Sequence, residues 1–178
     1  MSTITGAMVS SAPSRMARKK QLWRPVWQAT PAWSTSTSSV VPTTYLPAAI
    51  DQAVAAIQFD AQGLVPAIAQ QHDSGEILMM AWMDRDAVAE TMRTGRVCYW
   101  SRSRKAPWRK GDTSGHIQEL VELRIDCDGD TLLAEVEQTG VACHTGRHSC
   151  FFRAIRNGEL EEIAPVDIDM ATLGKAKE

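Results

Sequence analysis

The 178-residue chain has no apolar run approaching the roughly 18 residues that a membrane-spanning helix requires. It has no hydrophobic stretch followed by a cleavage pattern, so nothing in it reads as a secretory signal. A basic surplus is missing too: 19 Lys or Arg stand against 21 Asp or Glu, a formal net charge of −2. Non-specific nucleic-acid binding needs a basic face that displaces counterions, so a nucleic-acid partner is not expected, nor is a membrane. No segment repeats, and the four cysteines form no C-x2-C knuckle of the kind found in structural zinc ribbons. Acidic residues are absent from positions 1–50, which hold five basic ones, so the remaining 128 residues carry 14 basic and 21 acidic side chains. Without export the expected location is cytoplasmic, where thiols stay reduced and cysteines clustered with histidines are more often ligands or nucleophiles than staples.

What is present divides the chain near residue 46. Residues 1–47 contain 15 Ser or Thr and five of the eight prolines. Such a segment buries too little apolar surface to offset the entropy of ordering, so a disordered basic leader is expected over 1–47. Its Arg-rich, acid-free character also imitates an organellar transit peptide. One domain is expected over 48–165, with a tail over 166–178. Ile50, Val54 and Ile57 recur at helical spacing in 48–57. Segments 64–70, 74–83 and 97–100 read as strands, and Asp84 and Gly95 are placed to cap a helix over 85–94. "VELRIDC" at 121–127 alternates apolar and polar residues, and "TLLAEVEQ" at 131–138 looks like its hairpin partner through a type I′ turn at Asp128-Gly129. The expected fold is a compact α+β domain with a largely antiparallel sheet and few helices.

Three clusters carry candidate chemistry. "DCDGD" sets carboxylates at Asp126, Asp128 and Asp130 around Cys127. Hard oxygens suit Mg²⁺ and a thiolate suits Zn²⁺, while a plain turn uses Asp and Gly for their conformational tolerance. Crowded carboxylates raise one another's pKa unless a cation sits among them, which favours the metal reading. "CHTGRHSC" places Cys143, His144, His148 and Cys150 within eight residues. A closed Cys2His2 site from so short a loop is crowded, whereas Cys143 and Cys150 with Cys127 give three thiolates and one open position, the arrangement of catalytic zinc. Cys98 reads as an inert buried residue, and His72 is given no role. "SRSRKAPWRKGDTSGH" carries Arg102, Arg104, Lys105, Arg109 and Lys110 beside Thr113 and Ser114. That is either a solvated basic loop or a phosphate cradle, with Trp100 and Trp108 either stacking on a base or packed in the core.

Taken together, "WSRSR", "WRKGDTSGH", "DCDGDTLL" and "ACHTGRHSCF" closely resemble the phosphoribosyl-AMP cyclohydrolase family of histidine biosynthesis, over roughly residues 59–155. Pro107 stands where many members have an aliphatic residue. The resemblance implies hydrolysis of the N1–C6 bond of the adenine ring of 1-(5-phosphoribosyl)-AMP, giving the ring-opened phosphoribosylformimino aminoimidazole carboxamide ribotide. It further implies a homodimer with one Zn²⁺ per subunit shared across the interface, Cys127 of one subunit joining Cys143 and Cys150 of the other. Asp126, Asp128 and Asp130 match the family's Mg²⁺ positions. His144 or His116 is expected to move the proton, with His148 a weaker candidate. Arg102, Arg104, Lys110, Thr113 and Ser114 are expected to bind the two phosphates of the substrate. A nucleobase deaminase would attack a similar carbon but carries H-x-E and P-C-x-x-C, both absent here. A non-catalytic zinc module explains the thiols and the basic run but not the three aspartates or the acidic body.

Overall fold

In the computed structural model, which describes residues 41–169, two helices arise where capping residues permit them. Helix α1, Pro47–Ala56, opens on a proline whose missing N–H is not needed at the first helical position. Its Ile50 is buried, as is Ile57 just past its end. Helix α2, Arg85–Thr94, is fixed at both ends as its sequence requires. Asp84 accepts a 2.8 Å hydrogen bond from the Ala87 N–H, and Gly95, at φ +71°, returns its N–H to the Thr91 carbonyl. The helix buries Ala87, Val88, Thr91 and Met92.

Six strands form one sheet: β1 (Val65–Gln71), β2 (Ile77–Met83), β3 (Cys98–Ser101), β4 (Ala106–Arg109), β5 (Gln118–Ile125) and β6 (Leu132–Gln138). Their order is β4-β3-β2-β1-β6-β5, antiparallel except for the central β1–β6 pair. A separate hairpin pairs β7 (Arg153–Arg156) with β8 (Glu159–Glu162). The described residues thus form a single α+β domain with a largely antiparallel sheet and two helices. They lie within one compact unit, Ser39–Glu178. Val65, Ala67 and Ala69 of β1 and Leu132, Ala134 and Val136 of β6 are buried at the centre of the sheet. Each leucine so placed contributes about 1.5–3 kcal/mol of hydrophobic stabilisation. Pro66 is tolerated in a central strand because the parallel ladder to β6 begins one residue later, at Ala67.

Several expectations need correction. The 102–115 segment is not one loop, because β4 lies inside it and pairs with β3. The alternation that starts at Val121 begins earlier, at Gln118, and a bulge between Leu120 and Glu122 resets its phase. The strand stops at Ile125, so Cys127 belongs to the connection and not to the ladder. That connection is no two-residue type I′ turn. The ladder closes at Ile125–Leu132, and only Gly129, at φ +82°, has the left-handed conformation that both central residues would need. The Asn-Gly signature does occur at Asn157-Gly158, whose φ values are +53° and +84°, in the β7–β8 hairpin that sequence reading missed. The body also reaches back before residue 48: the Thr43 N–H bonds the Leu120 carbonyl and the Tyr45 N–H that of Met92. Residues 1–40 of the expected leader and 170–178 of the expected tail lie outside the described residues.

A buried polar chain runs through the core beside the future site. Tyr99 donates to Gln118 (2.7 Å), Gln118 to Gln138 (2.8 Å), and the Gln138 N–H bonds Gln71 (3.1 Å), joining β3, β5, β6 and β1. Burial pushes the Tyr99 phenol far up, so it stays a donor.

Candidate active site

The "CHTGRHSC" stretch folds as a tight turn closed on itself. The Ala142 N–H bonds the His148 carbonyl, the Cys143 N–H that of Arg147, and the Gly146 N–H that of Cys143. Gly146 is required twice over: its φ is +82°, and a β-carbon there would lie 1.9 Å from the Ile168 carbonyl oxygen. The turn docks on β2. That strand meets β3 only through the pair Trp82–Trp100, so its first half is open on one side. There the Cys150 N–H bonds the Leu78 carbonyl and the Ser149 hydroxyl bonds that of Ile77, each at 2.7 Å.

This docking brings Cys143 and Cys150 together. Burial acts to raise the Cys143 pKa, but hydrogen bonds from Thr145 and Cys150 and the charge of Arg147 bring it below the ordinary thiol value. Its sulfur lies 3.0 Å from the Thr145 hydroxyl. Although Cys150 is exposed as a residue, burial around its sulfur and the adjacent Cys143 push its thiol up to about 11. The two thiols are thus shifted in opposite directions, a conflict that a soft divalent cation relieves. The pair therefore fits a zinc ion chemically. Cys127 is exposed in the β5–β6 connection and belongs to no group of three donors with them among the described residues.

A cavity of about 390 Å³ opens beside the thiols, and the far end of the basic segment lines it with Lys110, Thr113, Ser114 and His116. Lys110 is not a surface cation. It is 9 % exposed, and its ammonium donates to the Ala142 carbonyl at 2.8 Å and to that of Val141 at 3.4 Å. Burial lowers its pKa, against the opposing pull of Cys150 and Cys143. His116 is 8 % exposed, and its Nε2 has no hydrogen-bond partner. Burial, and secondarily the charge of Lys110, lower its pKa from the ordinary 6.5 and so favour the neutral ring. Gly140 makes room for it, since a β-carbon there would lie 2.0 Å from Nδ1. His144 is exposed at the rim of this cavity and of a second one, of about 370 Å³, that Cys143 and Cys150 also line. His148 is otherwise engaged, with Nδ1 3.1 Å from Glu76.

The basic segment is split by β3 and β4. Arg102 lies over the Trp82 ring at 4.9 Å, in a separate cavity of about 410 Å³ that Trp100 and Lys105 also line. The Arg104 backbone closes the β3–β4 turn onto Ser101. Arg109 is paired with Glu90. Trp108 tilts against buried Tyr99, the ring centres 5.0 Å apart, so it packs against the core while edging the thiol cavity. Cys98 is fully buried, its thiol raised to about 11 chiefly by burial, which fits an inert residue.

Asp126, Asp128 and Asp130 are exposed, and one oxygen from each lies within 4.8 Å of the others. Crowding was expected to raise their pKa values, yet Asp126 departs the other way. Burial opposes the shift, but hydrogen bonds from the Thr131 and Gly129 N–H groups and neighbouring carboxyls outweigh it. A hard cation suits three such oxygens.

Sequence reading missed Arg147, Thr145 and the residues after Glu162 that hold the turn. It also missed the burial of Lys110, since nothing in a run of cations marks which one turns inward.

Titratable groups with opposed pKa shifts around one cavity, mounted on an α+β sheet, mark a candidate enzyme site. The sequence profile of the phosphoribosyl-AMP cyclohydrolase family matches residues 79–152. The phosphoribosyl-AMP cyclohydrolase of Alkalilimnicola ehrlichii is 66 % identical over 120 residues, covering 67 % of this chain and 84 % of that protein. That of Rhodospirillum centenum is 64 % identical over 121 residues, 68 % of this chain and 91 % of the relative. That of Acidiphilium cryptum is 64 % identical over 111 residues, 62 % and 96 % of the two. The chain belongs to the phosphoribosyl-AMP cyclohydrolase family, hydrolases of histidine biosynthesis.

Proposed function

We propose that this chain hydrolyses the N1–C6 bond of the adenine ring of 1-(5-phosphoribosyl)-AMP with the help of zinc, at a site completed by a second copy of the chain. The observation that carries the reading is the single cavity where Cys143, Cys150, His116 and Lys110 converge. Water adds across the bond: oxygen ends on C6, which is electrophilic because N1 is alkylated, and a proton ends on N1. Zinc held by Cys143, Cys150 and the Cys127 of another subunit would supply acidified water, whose pKa falls to about 7 on such a metal.

The chain's own residues supply the rest. The Nε2 of His116 has no hydrogen-bond partner and burial favours the neutral ring, so it is suited to take a proton. His144, at the rim beside ligand Cys143, is suited to pass it on. Lys110 commits two of its three N–H donors to carbonyls, and the third, with the Thr113 and Ser114 hydroxyls, serves one substrate phosphate. Arg102 and Arg104, at the other end of the β3–β4 hairpin, serve the second. Asp126, Asp128 and Asp130 hold Mg²⁺ near the same substrate.

A homodimer is supported by two features. Cys127 stands apart from the thiol pair it is needed to complete, and the β7–β8 hairpin beside that pair presents Ile155 and Leu160, opposed in register and 80 % and 65 % exposed. Such a paired apolar surface is suited to being covered by a partner. No helix among the described residues is long and apolar enough to cross a membrane, and a cytoplasmic location agrees with reduced thiols.

The test is to incubate purified protein with phosphoribosyl-AMP and follow the absorbance change of ring opening before and after chelation. Zinc-dependent ring opening is expected, together with loss of both zinc and turnover in Cys143→Ser. Full turnover by a metal-free Cys143→Ser protein would contradict the reading.

A further inference from the structure

We infer that Arg147 is a positioning residue that couples a C-terminal strap, residues 162–168, to the Cys143 thiol through the Thr145 hydroxyl. The strap lies beyond the part of the chain that the family profile matches. The Asp167 and Ile168 N–H groups both bond the Gly146 carbonyl, at 2.8 and 2.9 Å, and the Asp167 carboxylate accepts the His148 N–H at 2.9 Å. The Gly146 α-carbon therefore faces the strap so closely that no side chain fits between them.

The Arg147 guanidinium, only 12 % exposed as a side chain, is committed in three directions. Its Nε donates to the Ala164 carbonyl (3.2 Å), its Nη2 pairs with Glu162 (2.6 Å), and its Nη1 donates to the Thr145 hydroxyl (3.1 Å). It also lies over the Phe152 ring at 4.0 Å. The Thr145 oxygen accepts from Arg147, which leaves its own proton able to point at the Cys143 sulfur 3.0 Å away, the one direction this contact can take once the sulfur is a thiolate. The relay thus orients a donor at the thiolate and holds the turn in one shape before any ion arrives. Partners behind a ligand are worth about 10–100-fold in metal affinity, and preorganisation reduces the ordering cost of binding.

This inference rests on the zinc reading above, so its test separates the two. Zinc affinity is measured on the full chain by competition with a chromophoric chelator, for wild type, Thr145→Val, Arg147→Lys and the double variant. Amide exchange of residues 143–150 is followed in the metal-free proteins, with β1 and β6 as the internal standard for an intact core. Each single variant is expected to bind zinc about tenfold more weakly, and the double variant no worse than the weaker single, because both cut one chain of contacts. Exchange in 143–150 should quicken in Arg147→Lys while β1 and β6 stay protected. Single variants within twofold of wild type, or a double variant whose losses multiply, overturn the coupling. If wild type itself takes up no zinc at its thiols, the zinc reading fails. The strap is then judged on exchange alone, and unchanged exchange in Arg147→Lys overturns it.

Discussion

Lys110 and His116 share a short tight segment, and burial presses both of their pKa values down, but their surroundings differ. Desolvation presses the Lys110 pKa down, while the two neighbouring sulfurs oppose that push and two carbonyls accept from its ammonium. The His116 Nε2 has no such partner, and the charge of Lys110 adds to the downward push. Replacing Lys110 by Met leaves the Ala142 and Val141 carbonyls without their donor, and should lower stability by about 1–3 kcal/mol in urea melts. The His116 pKa is depressed in the folded state, so its contribution to stability is complete above 6.5 and is lost as pH falls through the lower folded value. Urea midpoints compared on either side of 6.5 should show an acid loss in wild type that is smaller in His116→Asn; equal losses would mean that His116 is not the group responsible. Gly140→Ala, which drives a methyl into the His116 ring, should cost about a hundredfold in turnover while zinc content holds. None of this was legible in the sequence, where a histidine beside cations looks the same whether it is buried or solvated.

At the scale of elements, the sequence spoke most clearly where a local rule decides the outcome. Asp84 and Gly95 mark α2 to the residue because capping depends on neighbours within one turn. The α1 boundary is nearly as clear, with Pro47 at its start. Strand β4 was hidden because "APWR" lacks alternation of its own and exists by pairing with β3, a partner the local pattern does not name. The β5 bulge was hidden for a related reason: it shifts the phase of the apolar pattern halfway along, so reading began at Val121 and ran past the end of the ladder to Cys127. The polar chain Tyr99–Gln118–Gln138–Gln71 ties four strands together and is equally non-local. Tyr99→Phe removes its first donor and leaves buried Gln118 short of a partner, so stability should fall by about 1–3 kcal/mol. A neutral result in thermal or urea melts would mean that water replaces the phenol. The three functional clusters, by contrast, were legible as clusters. What the fold added is how they divide: Lys110 and His116 join the thiols, whereas Arg102 sits with the tryptophans at the opposite end of the β3–β4 hairpin.

For the whole molecule the deciding feature is an incompleteness. Two thiols meet beside a cavity with a buried histidine and lysine, and the third thiol waits on an exposed connection elsewhere in the same chain. The exposed Ile155–Leu160 pair lies on the hairpin that follows the thiol turn. A symmetric dimer of the proposed kind would satisfy both at once, because two-fold symmetry would place each chain's third thiol at its partner's pair in two equivalent sites. Subunit mixing tests this most directly. Cys127→Ser and Cys143→Ser proteins, each inactive and zinc-poor alone, are unfolded together, refolded as a mixture and assayed for zinc and for phosphoribosyl-AMP ring opening. If the thiols are shared, half of the dimers are mixed and each mixed dimer regains one intact site, so about a quarter of wild-type zinc and turnover returns. If each chain builds its site alone, the mixture stays as inactive as its parts, and the shared-site account is wrong.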